Sequence, residues 1–516
     1  MHDGGDGESG GGAPVGAGAG ATGAGTGGGV TKPCARLTAR QALAAVADTY
    51  TDLPAPSATA SPGPDGPLGW PGYDAARARA RTATGEDESV VTAVADLGGT
   101  RAVVLSFEFR YLGGSLGERT GDRLEAAYTE ARERRLPVVS LIATGGSRMQ
   151  EGMRALSQLQ RVARQSALHH AAGLAQLAVV RDPTTGGGWA TLGASADVIL
   201  ALPGAQIGFA GSRVRPREAD PSAYSAEGQF AAGQVDAVVP PDRLRGTLQR
   251  WLRLLAPAGR PAGAAATPAA PPAALGASEL PETGWDAVVR ARAAGRPRAE
   301  AYLRAYFDDR EELSGDRCGG TDPGIRCGFG RREGRTIAFV AQCGTATRPA
   351  GFRTAARLVR LADRLGIPVL TLVDTPGAAN DAAAERAGAG AAIADAFAAL
   401  ATAEVPVTSL LIGEGGSGGA LALAAPGRLW ATPDSYFSVI APELAAAILK
   451  RDEAQVHDTA EQLRIRPQDL LDLGVIRGIV PTAGDGVTDR DGVTDRGGAT
   501  DRDGATDPDE RRTGAG

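Results

Sequence analysis

Residues 408–425 read TSLLIGEGGSGGALALAA. The apolar run Leu410–Ile412 has the length and composition of a short buried strand. Gly413, Gly415, Gly416 and Gly418 crowd the next six residues, and an alanine- and leucine-rich run of helical character follows Gly419. Strand, glycine turn and helix start bring bare backbone N–H groups to one point. Missing side chains let a ligand approach there, and a helix N-terminus favours negative charge. The pattern occurs a second time: Leu177–Val180 runs into RDPTTGGGWATLGA at 181–194. Two anion-favouring turns in one chain predict two related half-sites.

Outward from the two turns, the chain alternates strand and helix patterns. Val90 to Phe107 reads as two strands around Gly98–Gly99, and the helix that follows carries its apolar residues at Leu124, Ala127, Tyr128 and Ala131. Further strands are expected at Pro137–Ile142 and Asp197–Ala201, with a long helix from Met149 to Ala172 between them. The second half repeats this grammar: helix Arg298–Arg310, strand Thr336–Gln342, helix Phe352–Leu365, strand Pro368–Val373, helix Glu385–Thr402, strand Val407–Ile412 and strand Leu429–Ala431. Stacked βα units of this kind make an α/β fold. The expected domains are 36–255 and 283–482, joined by a Pro/Ala-rich linker at 256–282. Residues 1–35 are glycine- and alanine-rich, and 483–516 repeat an acidic unit, DGVTDR; neither tail has enough apolar surface to offset its ordering entropy.

Composition narrows the function. A formal net charge of −6 argues against general nucleic-acid binding. No run of 18 apolar residues and no leader-like opening occur, so a cytoplasmic protein without a membrane segment is expected. Lysine is confined to Lys32 and Lys450. Cys34, Cys318, Cys327 and Cys343 form no CxxC pair and are expected to be free thiols. Gly413, Gly415 and Gly418 fit G-x-G-x-x-G with Asp434 about 20 residues on, but the unit closes its domain instead of opening it, against the dinucleotide arrangement. No G-x-S-x-G elbow and no metal-spaced His/Cys cluster appears, and acids and bases are scarce near the glycine turns. A chemistry that uses backbone N–H donors to hold a developing oxyanion fits this shortage.

FEFRYLGGSLG, TGGSRMQE, RDPTTGGGWATLG and IGFAGSRV resemble the β subunit of the bacterial acetyl-CoA carboxylase carboxyltransferase. RAEAYLRAYFDDREELSGDR, PAGFRTAARLVRLADRLGIPVLTLVDTPGA, GEGGSGGALALA and SYFSVIAPELAAAILK resemble its α subunit. The strings occur in the order β then α across about 88–480. The resemblance implies two tandem crotonase-type (ClpP-like) domains. It also implies transfer of a carboxyl group from carboxybiotin, held on a separate biotin carboxyl carrier protein charged by a biotin carboxylase, to acetyl-CoA or another short acyl-CoA. The biotin ureido group is then the base, which agrees with the scarcity of protein bases.

Carried over residue by residue, the resemblance puts Gly145, Gly146, Gly186 and Gly187 at the CoA thioester oxygen. It puts Gly377, Gly418, Gly419 and Ala420 at the biotin carbonyl. Arg148, Arg213, Arg317 and Arg353 are candidate partners of the CoA phosphates, or else surface and ion-pair arginines. Gly419→Val is expected to abolish transfer with the fold intact. Half-sites facing each other across subunits imply at least a dimer. Two departures stand out: the zinc ribbon ahead of the β domain is absent, so no metal is expected, and Ala379–Asp381 replace the family's Tyr-Pro-Gly. The alternatives are a malonate decarboxylase-type β/γ fusion and a non-catalytic partner in an acyl-CoA carboxylase complex. A crotonase-class hydratase or isomerase would need a carboxylate beside the turns, and GGGWATLG and GSGGALALA contain none.

Overall fold

Alternating apolar residues on either side of Gly98–Gly99 make the expected hairpin, and the sheet of the first lobe grows from it. The computed structural model describes residues 36–57, 63–256 and 266–483. The tail at 1–35 with Cys34, residues 257–265 of the linker and nearly all of the acidic tail lie outside the described residues. In chain order the first lobe holds β1 (Thr49–Asp52), β2 (Val90–Leu97), β3 (Thr100–Phe107), β4 (Val138–Thr144), β5 (Gln176–Thr185), β6 (Val198–Ala201), β7 (Ile207–Gly208) and β8 (Ala237–Val238). The second holds β9 (Asp309–Leu313), β10 (Ile325–Arg332), β11 (Arg335–Gln342), β12 (Val369–Thr375), β13 (Val407–Gly416), β14 (Leu429–Ala431), β15 (Tyr436–Ser438) and β16 (Gly478–Ile479).

Both sheets have one topology. Strand order is β1-β2-β3-β4-β5-β6-β8 in the first, with β7 also on β5, and β9-β10-β11-β12-β13-β14-β16 in the second, with β15 on β13. In each, two antiparallel pairings lead into a parallel run. Helices Glu118–Glu133 and Gly152–Ala171 follow β3 and β4; Pro349–Leu365 and Ala389–Thr402 follow β11 and β12. The four apolar positions expected on the first of these helices are all buried.

The lobes share one core. Leu248, Trp251 and Leu252 of helix Pro241–Leu255 pack in the same cluster as Phe329, Val340 and Leu358, and the Trp251 and Phe329 rings meet edge to face at 6.3 Å. A polar seam adds to it. The fully buried Asp236 carboxylate accepts from Arg317 at 2.5 Å and Arg357 at 3.0 Å, and from the Ile199 N–H at 2.8 Å. The expected linker is only in part a spacer: Ala269 and Ala274 are buried against the second lobe, and Ala274 bridges Thr482.

Several elements differ from the sequence reading; the helix expected at Glu385–Thr402, for one, begins at Ala389, after a short separate helix Ala382–Arg386. The helix expected at Arg298–Arg310 ends at Tyr306, and Asp309–Leu313 is a strand. The pairs β1 and β9 lie at sheet edges, where charged residues are tolerated and blunt the apolar signal. The sequence reading places no strand at β10. β13 continues through its glycines to Gly416, and the helix after it spans only Ser417–Leu421. The donors there are therefore individual N–H groups, not the end of a long helix dipole. Among the described residues no helix is long and apolar enough to cross a membrane.

Candidate functional site: two glycine turns

In each lobe the two central parallel strands lose register near their ends. β4 and β5 pair regularly to Ile142, break, and resume at Thr144 opposite Thr184. β12 and β13 pair to Val373, break, and resume at Thr375 opposite Gly415. Thr144 thus corresponds to Thr375, Gly146 to Gly377, Gly186 to Ser417 and Gly187 to Gly418. Past the break the strand ends form two arms of a small concavity. Gly146 (φ +103°) and Gly377 (φ +141°) adopt backbone that side chains avoid. A Cβ on Gly186 would lie 3.1 Å from Gly146 Cα, so in the first lobe the arms nearly touch.

The N–H groups divide into spent and free. Gly145 donates to the Gly113 carbonyl at 2.9 Å, and Gly186 donates to the carbonyls of Gly208 and Phe209. Backbone carbonyls take up both N–H groups, so these two glycines are not the free donors that the sequence reading expects. Gly146 and Gly377 each donate only to the hydroxyl of the threonine two residues back, at 3.1 Å. Outside the helix and strand ladders, Gly187, Gly418 and Gly419 have no acceptor among the described residues, whereas Ala420 lies inside the helix Ser417–Leu421. Gly187 is covered by Leu159, whereas Gly418 is exposed with nothing within 4 Å of its Cβ position. Gly419 is packed: a Cβ there would collide with the Ala378 nitrogen. Gly419→Val would therefore damage the fold, contrary to expectation.

The four arginines part company. Arg148 is 1% exposed, and its guanidinium is committed to Glu88, to Glu151 at 3.2 Å and to the Ser115 carbonyl at 2.8 Å. It is an anchor beneath the first arm and cannot reach a phosphate. Arg317 is spent in the inter-lobe seam on Asp236 and the Gln234 carbonyl. Arg353 donates to Asp316 at 2.8 Å and to the Ala387 carbonyl at 3.0 Å, beside an open cavity of about 700 Å³ that Arg348 and Cys318 also line. Arg213 is exposed after β7, with no ion pair among the described residues.

Two buried groups of the second lobe escaped the sequence reading. Asp374 ion-pairs with Arg296 at 2.6 Å, and burial raises its carboxyl while Arg296 pulls it back. Gln342, at the end of β11, is fully buried and hydrogen-bonds across both arms. A polar residue closing the apolar run IAFVAQ was the signal that could have found it. Cys327 is buried, Cys343 half-buried and Cys318 exposed; all three are free thiols.

Residues 70–238 match the carboxyl transferase domain family, and 279–494 match the acetyl co-enzyme A carboxylase carboxyltransferase-like family. The chain is 38% identical over 435 residues to the acetyl-coenzyme A carboxylase carboxyl transferase subunits beta/alpha of Saccharopolyspora erythraea, covering 80% of this chain and 75% of that one. It is 40% identical to the Salinispora arenicola protein of the same name, over 78% and 75% of the two chains. Identity is 37% to the "Probable biotin-dependent acyl-coenzyme A carboxylase beta3 subunit" of Mycobacterium tuberculosis, over 80% and 83%. A crystal structure of transcarboxylase 12S with hydrolysed methylmalonyl-coenzyme A bound shares the fold, with TM-score 0.70 over 86% of each chain at 21% identity. With the two matched turns in view, the chain belongs to the acetyl-CoA carboxylase carboxyltransferase beta/alpha family and is a biotin-dependent acyl-CoA carboxyltransferase.

Proposed function

We propose that the first lobe's turn holds the thioester oxygen of acetyl-CoA and the second lobe's turn holds the ureido oxygen of biotin on a separate carrier protein, with malonyl-CoA as product. The observation that carries this reading is the pair of matched concavities with unpaired N–H groups, Gly187 in one lobe and Gly418 in the other. An anionic oxygen gains most from donors that no protein acceptor has claimed. Carboxybiotin supplies the carboxyl group and a basic nitrogen. The protein's own part is to hold, orient and keep water away.

In the first lobe, Gly187 and Gly146 are the donors for the oxygen that becomes negative when the thioester loses its α-proton. Gly146 can turn from the Thr144 hydroxyl to a stronger, charged acceptor. In the second lobe, Gly418, Gly377 and the neighbouring Gly419 and Ala420 N–H groups serve the carrier's ring oxygen. The open space at Gly418 suits a group presented from outside by another protein. Arg213 remains the candidate for the CoA phosphates. A biotin carboxylase is the partner that recharges the carrier. The active unit is at least a dimer, a reading supported by the bare apolar side chains Met149 and Met153 near the first turn and Val439 and Ile448 in the second lobe.

Purified protein with carboxylated carrier and a panel of acetyl-, propionyl- and butyryl-CoA tests the reaction, with carboxylated products quantified. Gly418→Val tests the site. The new side chain meets no neighbour, so thermal stability should stay as in the wild type while transfer falls about 10²–10³-fold. Full activity in this variant, or no product with any acyl-CoA, would sink the proposal.

A further inference from the structure

The arms of the two turns are cross-tied by different side chains. In the first lobe, hydroxyls on β5 do it: Thr184 donates to the Ile142 carbonyl at 2.9 Å and Thr185 to the Thr144 carbonyl at 3.3 Å. The matching residues of β13 are Gly415 and Gly416, which have no hydroxyl to offer. The tie comes from the other neighbouring strand. Gln342 Nε2 donates to Thr347 Oγ1 at 3.0 Å and to the Gly419 carbonyl at 3.2 Å, while Oε1 accepts from the Asp374 N–H at 3.3 Å. Thr347 in turn donates its N–H to the Gly377 carbonyl at 3.1 Å and accepts from the Ala379 N–H at 2.9 Å. One buried amide therefore reaches the Gly377 arm through Thr347 and the Gly419 arm directly. The corresponding position of the first lobe is Phe107, one residue beyond the matched pairs Ser106–Leu141 and Ala341–Leu372.

We propose that Gln342 is the positioning residue of the second lobe's turn: it sets the separation of the two donor arms without touching the ligand. This rests on the assignment of that turn to biotin. Oxyanion donors act only when held to within about half an ångström, and a displacement near 1 Å costs on the order of 10²-fold in rate. Glycine-only strand ends cannot hold that spacing themselves, because they have no side chains to brace them.

The test uses the full-length protein and the reverse half-reaction, carboxyl transfer from malonyl-CoA (or the product selected by the acyl-CoA panel) to biocytin. Gln342→Met keeps the volume and removes all three bonds. Expected are a fall in kcat of about 10–100-fold and a KM for malonyl-CoA within about twofold of wild type, since the first lobe is untouched. Thr347→Val, which removes only the 3.0 Å bond, should lose less. The double variant should be no worse than Gln342→Met, because both changes cut one path. Wild-type kcat in Gln342→Met overturns the proposal, and so does a malonyl-CoA KM that rises as much as kcat falls. Should Gln342→Met fail to fold, wild-type kcat in Thr347→Val overturns it alone. Loss of transfer in Gly418→Val beside an active Gln342→Met removes this inference and leaves the site assignment standing. An active Gly418→Val removes the assignment first.

Discussion

The two turns share a topology, a register break and a Thr–x–Gly hydrogen bond, yet they are built to different degrees of closure. The first is lidded by Leu159, its strand ends carry threonines, and a buried ion network lies beneath it. The second is open at Gly418, its strand ends are glycines, and it is braced from the neighbouring strand by Gln342. A closed, rigid turn suits a free thioester that enters and is wrapped. An open one suits a ring on the end of another protein's tether. On the proposed assignment, one backbone plan would serve two ligands through a change in bracing.

The sharpest way to break that contrast is at Arg148. Its counterpart in the second lobe is Ala379, since the bridge Leu116–Ser147 corresponds to Thr347–Ala378. At this position only the first lobe has a guanidinium; the second lobe's buried pair, Arg296 with Asp374, lies elsewhere, on the strand residue just before Thr375. Arg148→Met leaves the fully buried Glu88 carboxylate without its counter-charge, and breaking such a pair costs about 3–5 kcal/mol. Urea unfolding should register that loss, and adding Glu88→Gln should recover part of it. A cost below about 1 kcal/mol would mean that the network is ornamental and that the lobes are braced alike.

Much of this was legible from the chain. The doubled strand–glycine–helix pattern placed both turns, and apolar periodicity placed the central strands. The edge strands were not legible, because TYTD and DREEL carry the polar residues that sheet edges demand. Nor was the split between spent and free N–H groups. Gly145 and Gly187 look alike in sequence, and only the approach of Gly113 to one of them distinguishes a structural glycine from a donor. Arginines were the least legible. Their identity favours phosphate, but Arg148 and Arg317 turned out to hold carboxylates that lie far away in the chain, at Glu88 and Asp236.

A second contrast titrates. Seven residues before the central strand, the first lobe has His169 and the second has Leu400, both buried. Burial holds the His169 imidazole down, at about 4, with its ring edge-on to Tyr128. The unfolded chain takes up this proton near pH 6.5 and the folded chain does not, so stability is complete above 6.5 and drains as pH falls toward 4. The loss attributable to this group is about 3 kcal/mol. His169→Leu copies the second lobe and should flatten the stability profile between those limits. An unchanged slope there would assign the acid sensitivity to His170, which burial also holds down, and to the carboxylates.

The smallest difference sits at the turn itself. Ser417 is held at φ +55°, in the left-handed region, where the first lobe uses Gly186 at φ +66°. The second lobe carries a Cβ at this position, whereas in the first a Cβ on Gly186 would press on Gly146 Cα at 3.1 Å. Left-handed backbone costs a serine about 1–2 kcal/mol, while glycine gives back about 0.5–1 kcal/mol through the freer unfolded chain. Ser417→Gly should therefore stabilise the protein by a few tenths to about 1 kcal/mol, read from the denaturant midpoint at constant slope. A destabilised variant would mean that the serine side chain contributes contacts that compensate its backbone. The openness of the second turn would then be partly filled by its own residue, and the contrast with the lidded first turn would narrow to Gln342 alone.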